Sequence, residues 1–207
     1  HRLAFIDTQA WLAATPEGLD AAAEMLGRPD STHRSLVVLA HHPLRTGGSH
    51  GSGRPLTSPL GILARAGAVV QDVQAAPYQR MIEAIDAALT DGRPLLWANG
   101  HDHNAQLFDR RARSSGPMWE LTTGSGSKSS EVVAVEDQVL GGPWPSYATV
   151  DLLAGGAAHL AVYGGDPGAL TCPESPDDAR RRCVREGARS FRLLYAARLH
   201  PASEAPQ

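Results

Sequence analysis

Long apolar runs are missing from this 207-residue sequence: no stretch approaches the roughly 20 residues that cross a bilayer. An excess of one charge is missing too. Lys and Arg number 19 against 22 Asp and Glu, a formal net charge of -3 with an isoelectric point near 6.3. That balance gives no electrostatic reason to expect nucleic acid or membrane lipid as a partner. Cysteine occurs only twice, at Cys172 and Cys183, so at most one internal disulfide can form. It would close a loop of about eleven residues, worth ~2–3 kcal/mol on the loop-entropy model. Two free thiols are the other reading, and the choice stays open because the compartment is not readable. The first residues, HRLAFIDTQAWL, have no initiator Met, no basic start and no long apolar core, so they are not a signal peptide. Leu3–Ile6 reads as an interior strand, and the sequence is expected to begin in mid-domain.

What is present is ordinary apolar content, 42%, enough for a sizeable core in one large domain or two small ones. The 21 Gly and 15 Pro imply many turns. TPEGLDAAAEMLGR reads as a helix, with Thr15 as N-cap, Pro16 at the first helical position and Glu17 at the positive end of the dipole. SLVVLA is a short continuous apolar run, the signature of a strand buried on both faces. A polar loop, Arg45 to Ser58, follows. Tyr78, Met81, Ile82, Ile85 and Leu89 then form one apolar stripe of a helix over Pro77–Leu89, with Gly92 placed to end it. PLLWA is the next strand, so Ser35 to Ala98 reads as an α/β crossover. Beyond Asn104 the texture turns to short β-like runs: AQLFDRRA, MWELTTG, YATVDLL, HLAVYGG and FRLLYAARL. Gly155 and Gly156 supply a turn between two of them. DDARRRCVREGAR reads as a solvated helix, and PASEAPQ as a disordered tail. No internal repeat is visible.

Histidine is concentrated where the apolar runs end. LAHHPLRTGGSHG carries His41, His42 and His50 after one predicted strand, and GHDHN carries His101 and His103 after the next. The carboxyl ends of strands are where open α/β sheets bind ligands, and neutral imidazole is a common ligand for Zn, Fe and Mn. A lone His-x-His carries little; two such clusters joined by a helix carry more. His-Glu-x-x-His is absent, no Gly-x-Ser-x-Gly stands between a strand and a helix, and HDHNAQ does not supply His-x-His-x-Asp-His.

VVLAHHPL, GGSHG, ANGHDHNAQLF and LTTGSGSK together resemble the C-terminal half of the calcineurin-like metallophosphoesterases, nearest to the tartrate-resistant (purple) acid phosphatases. LAFIDTQAWL resembles the strand and turn after that family's Gly-Asn-His-Asp/Glu motif. The resemblance spans Leu3 to Gly164. It implies that His41 and His101 bind one ion, that His103 binds a second, and that His50, nine residues after His41, acts near the leaving group as catalytic acid. Two divalent or trivalent ions (Fe, Mn or Zn), ~3.5–4 Å apart, would clamp a phosphoester substrate and activate water. His42 is expected to point away from His41, toward packing or substrate. Asp102 is either an acceptor that orients an imidazole or part of a loop turn, and Asn104 and Gln106 are read as structural.

The implied fold is α/β, part of a two-sheet β-sandwich flanked by helices, with its N-terminal part missing. The family's Asp-x-His, Gly-Asp-x-x-Asp and Gly-Asn-His-Asp/Glu motifs have no counterpart here, and the resemblance puts them before Leu3. Residues 1–164 would be the C-terminal portion of the metallophosphoesterase domain, 165–200 an extension packed on it, and 201–207 a disordered tail. The expected function is that of a metal-dependent phosphoric ester hydrolase, present as a fragment with little activity alone. The alternative is a non-catalytic metal-binding or structural domain derived from that fold. Substrate, metals, oligomeric state and localisation are not readable.

Overall fold

A computed structural model of the chain describes residues 1–28, 35–51, 71–90, 93–125, 129–166 and 190–201. Cys172, Cys183, Gly92, the helix read in DDARRRCVREGAR and the tail 202–207 lie outside the described residues. The first half alternates: β1 (Arg2–Ile6), α1 (Thr8–Leu12), α2 (Pro16–Gly27), β2 (Leu36–Ala40), α3 (Ala76–Ala88) and β3 (Leu96–Asn99). The second half is strands: β4 (Ala105–Asp109), β5 (Trp119–Thr123), β6 (Gln138–Gly142), β7 (Ser146–Leu152), β8 (Ala158–Gly164) and β9 (Arg192–Leu199). Local chemistry explains the helix starts. Thr15 caps α2, its hydroxyl accepting from the Gly18 N–H at 3.3 Å. Asp7 does the same for α1, its carboxylate accepting from the Ala10 N–H at 3.0 Å.

The strands form a mixed six-stranded sheet, order β1-β2-β3-β5-β4-β6, and an antiparallel three-stranded sheet, order β7-β8-β9. β1, β2, β3 and β5 run parallel, and β4 lies antiparallel between β5 and β6. Parallel strands need both faces covered. On one face Val38 and Trp97, register partners, meet the α3 stripe of Tyr78, Met81, Ile85 and Leu89. On the other Val37, Leu96 and Leu121 meet Leu160, Val162 and Leu199 of the small sheet. Ile82, read as part of the α3 stripe, is only partly buried. The small sheet stops short of β1. Leu3 and Phe5, register partners of Val37 and Leu39, stand 50% and 78% exposed on an uncovered strip of that face.

β6 was not anticipated from the sequence, because its residues QVLGG are half exposed and two of them are Gly. The described part of the long polar loop, Arg45 to Gly51, is not structureless. The Gly47 N–H donates to Gln106 Oε1 at 2.8 Å, and Gln106 Nε2 donates to the Thr46 hydroxyl at 2.9 Å and to Asn104 Oδ1 at 2.8 Å. Gln106 and Asn104 are fully buried, consistent with their structural reading.

Glu120 breaks the apolar pattern of β5. It pairs with Trp97 on the helix-covered face and is wholly buried. One of its oxygens, Oε1, accepts the N–H groups of Leu44 and Arg45 at 2.6 and 3.0 Å, pinning the chain just past β2. Burial pushes its carboxyl up to about 7, against the opposing pull of Arg110. A folded-state value above the unfolded one stabilises below about 4.5, and that contribution is lost as pH rises through about 7. A shift of this size corresponds to about 3 kcal/mol at most. Glu120→Gln keeps an acceptor for both N–H groups and removes the charge. Its stability in urea relative to wild type should therefore rise between pH 5 and pH 8. A constant difference across that range would show that Glu120 does not titrate with folding.

Candidate metal centre

The four parallel strands deliver their carboxyl ends to one edge of the sheet, and the candidate site is built there. Thr8 follows β1, His41 and His42 follow β2, His101 and Asp102 follow β3, and Gly124 follows β5. The Gly100 N–H donates to the His41 carbonyl at 3.2 Å, so the two histidine-bearing segments are tied backbone to backbone as they leave the sheet. Gly124 sits where any side chain would collide: a Cβ there would lie 2.1 Å from the Asp102 carbonyl oxygen and 2.2 Å from that of Gly100.

The rings of His41 and His101 stand 5.0 Å apart, with His41 Nε2 and His101 Nδ1 at 3.0 Å. Burial first, then the neighbouring His50 ring, lowers the His101 imidazole to about 4. It is therefore neutral at pH 7 and carries one proton. Its Nε2 faces the Gln71 carbonyl at 3.2 Å, which only accepts, so Nε2 holds that proton and Nδ1 is bare. The hydrogen of the 3.0 Å bond then belongs to His41 Nε2. Two nitrogens that share a hydrogen at this distance can share a cation instead, since tetrahedral Zn–N bonds of about 2.0–2.1 Å put ligand nitrogens about 3.3 Å apart.

His42 corrects an expectation. It does not point away from His41: the rings meet edge to face at 4.8 Å, and His42 lies 4.6 Å from the His101 ring. β2 ends at Ala40 and the chain bends at His41, so strand alternation no longer sets opposite directions. His42 is fully buried; its Nδ1 is 2.7 Å from the Thr8 hydroxyl, while its Nε2 has no hydrogen-bond partner among the described residues. Burial first, then His101, His41 and His50, lowers it to about 3.

His50 completes the cluster, 4.2 Å from the His101 ring. Its Nδ1 donates to Asp102 Oδ1 at 2.8 Å, and its side chain is 29% exposed. Asp102 is fully buried and also accepts from the Thr46 hydroxyl. Burial alone would raise its carboxyl, but the hydrogen bonds from His50 and Thr46 outweigh burial and hold it below the usual range. Asp102 thus orients the His50 imidazole. One nitrogen from each of His41, His42 and His101 lies within 4.8 Å of the others, and His103 is not in that group. The His103 carbonyl accepts from the Ser130 N–H at 2.8 Å. The donor chemistry fits a borderline divalent cation such as Zn: bare or unpartnered imidazole nitrogens in a mostly buried site. Sequence reasoning missed Thr8 and Glu120. A small hydroxyl residue just past a strand end, in IDTQ, and a lone carboxylate inside MWELTT were the available signals.

In metal-free protein, His42 and His101 resist protonation until well below the 6.5 of an unfolded imidazole. Stability from this source is present above about 6.5 and lost as pH falls toward 4 and then 3. With chelator present, the urea midpoint of His101→Gln should fall less than that of wild type between pH 6.5 and 4. The comparison separates His101 from Glu120, whose contribution runs the other way. Equal falls would assign the acid sensitivity to other groups.

No protein-family model and no curated protein matches the chain. Among solved structures it is similar to one titled "GAP50 the anchor in the inner membrane complex of Plasmodium", with a TM-score of 0.53 and 14% identity. The likeness covers 96% of this chain and 49% of that one, so this chain spans about half the length of its structural neighbour. At that identity the likeness concerns the fold: mixed α/β, with a six-stranded mixed sheet and a three-stranded sheet.

Proposed function

We propose that the chain contributes part of a dinuclear centre to a metal-dependent phosphoric ester hydrolase of the calcineurin-like type. The remaining ligands come from outside these 207 residues. The observation that carries this reading is the 3.0 Å approach of His41 Nε2 to the bare His101 Nδ1, at the carboxyl edge of adjacent parallel strands. The layering supports it, with helices on one face of the large sheet and a small sheet on the other. So does the uncovered strip at Leu3 and Phe5, where further strands of a sandwich would fit. In this reading His41 and His101 hold one ion and His103 serves the other. When bound, the metal pair supplies Lewis-acid polarisation of the phosphoryl group and a water made nucleophilic near neutral pH. The protein's own part is positioning and proton delivery. Asp102 fixes His50 Nδ1 as a donor, which leaves Nε2 to protonate the departing alkoxide or phenoxide.

A second reading is a metal-binding or structural domain without turnover. Two observations favour it: the donors grouped here are imidazoles without a carboxylate, and the structural neighbour is described as an anchor. Activity separates the two. The whole protein should hydrolyse a chromogenic aryl phosphate only with metal present, and the 207-residue chain alone should show little turnover. His101→Ala in the whole protein should abolish turnover with modest effect on folding. His50→Ala should cost about 10²–10⁴-fold against a poor alkoxide leaving group and much less against a good phenoxide. Equal losses on both would remove His50 from the acid role, and metal-independent turnover would sink the hydrolase reading.

A further inference from the structure

We infer that His42 is itself a metal ligand, so that His41, His42 and His101 form a three-imidazole site for one borderline divalent cation, built by this chain alone. The inference rests on the reading that His41 and His101 hold an ion, and it adds a ligand that the family resemblance does not assign.

The first support is proximity. One ligating nitrogen from each of the three rings lies within 4.8 Å of the others. The widest pair would have to close by roughly 1.5 Å to reach the ~3.3 Å of a tetrahedral zinc site, a shift that side-chain rotation supplies. The second is an unmet need. His42 is 0% exposed, yet its Nε2 has no hydrogen-bond partner among the described residues. A buried polar atom without a partner calls for an explanation, and a bound ion is one that fits an imidazole nitrogen. Neighbouring donors are already committed: the Tyr78 hydroxyl donates to the Pro43 carbonyl at 2.6 Å, and Trp97 Nε1 donates to the His42 carbonyl at 3.1 Å. A ring kept only for packing against Tyr78 would serve better without that nitrogen.

The third support is orientation from behind. The Thr8 hydroxyl accepts the His42 backbone N–H at 3.1 Å and meets Nδ1 at 2.7 Å. The inference requires Nδ1–H to donate to Thr8, which leaves Nε2 as a bare lone pair. His101 shows the same device, its Nε2 held by the Gln71 carbonyl and its Nδ1 left as an acceptor facing His41 Nε2 at 3.0 Å. Metal-binding imidazoles are held in this way, with the second ring nitrogen donating to a protein oxygen. Three neutral imidazoles without a carboxylate favour Zn, Ni or Cu over Mg, Ca or Mn, and three protein ligands leave a fourth position open.

The test is a Zn(II) titration of the chelator-treated 207-residue chain, followed by the ¹⁵N shifts of its histidine rings. His42 Nε2, His41 Nε2 and His101 Nδ1 should all shift with one equivalent of zinc. A complex in which His41 and His101 shift and His42 does not would overturn the inference and leave the proposed function standing. Uptake unchanged in both His41→Ala and His101→Ala would remove the site itself. His42→Phe, which keeps the buried ring, should weaken zinc binding more than Thr8→Val, for which about 10–100-fold is expected. Wild-type affinity in a folded His42→Phe would also overturn the inference. The ring shifts are read on wild type, so a variant that fails to fold does not spoil the test.

Discussion

The parallel pairing of β2 with β3 is the constraint on which the site depends. Val37, Val38 and Leu39 align with Leu96, Trp97 and Ala98, so the two strands end side by side. Residues 60 apart in sequence are then forced to share one small volume, and His41 and His101 meet there. Burial enforces the pairing, because Val38 and Trp97 must be covered by α3 while Val37 and Leu96 are covered by the small sheet. A slip of one residue would exchange these faces. Trp97 adds a direct tie, its indole N–H donating to the His42 carbonyl.

Beyond the strand ends, polar groups replace apolar packing as the organising force. Asp102 is the centre of this second layer. It accepts from His50 and Thr46 and lies so close to Gly48 that a Cβ there would fall 2.6 Å from its Cγ. Gln106, from the following strand, fastens the same loop through Gly47 and Thr46 and is itself held by Asn104. Glu120 holds the other side through Leu44 and Arg45. The loop between His41 and His50 is thus clamped from two strands, which explains how a Gly-rich segment presents His50 within 4.2 Å of His101. The clamp has a thermodynamic cost: a buried carboxylate, Glu120, and two buried imidazoles, His42 and His101, each of which opposes folding in one range of pH.

The elements could be read from periodicity because local patterning and tertiary burial agree. The helix stripe of Tyr78, Met81, Ile85 and Leu89, the Thr15 cap and the continuous apolar run of β2 all ended where the sequence placed them, within a residue or so. β6 escaped because half-exposed strands rich in Gly carry no such pattern. The closeness of His41 to His101 was legible for the same reason, since strand ends fix it. The direction of His42 was not, because strand alternation stops at Ala40 and the bend that follows is set by contacts with Thr8 and Trp97.

By itself, the sequence determined where most strands and the two longer helices form and which imidazoles follow them, because apolar period and capping act within a few residues. Only the tertiary structure decided that His42 Nε2 is buried without a partner among the described residues, that Thr8 stands behind it, and that Asp102 grips His50 rather than a loop amide. Those facts depend on atoms far apart in the chain, on desolvation, and on which donor reaches an acceptor first. No local pattern of residues encodes them.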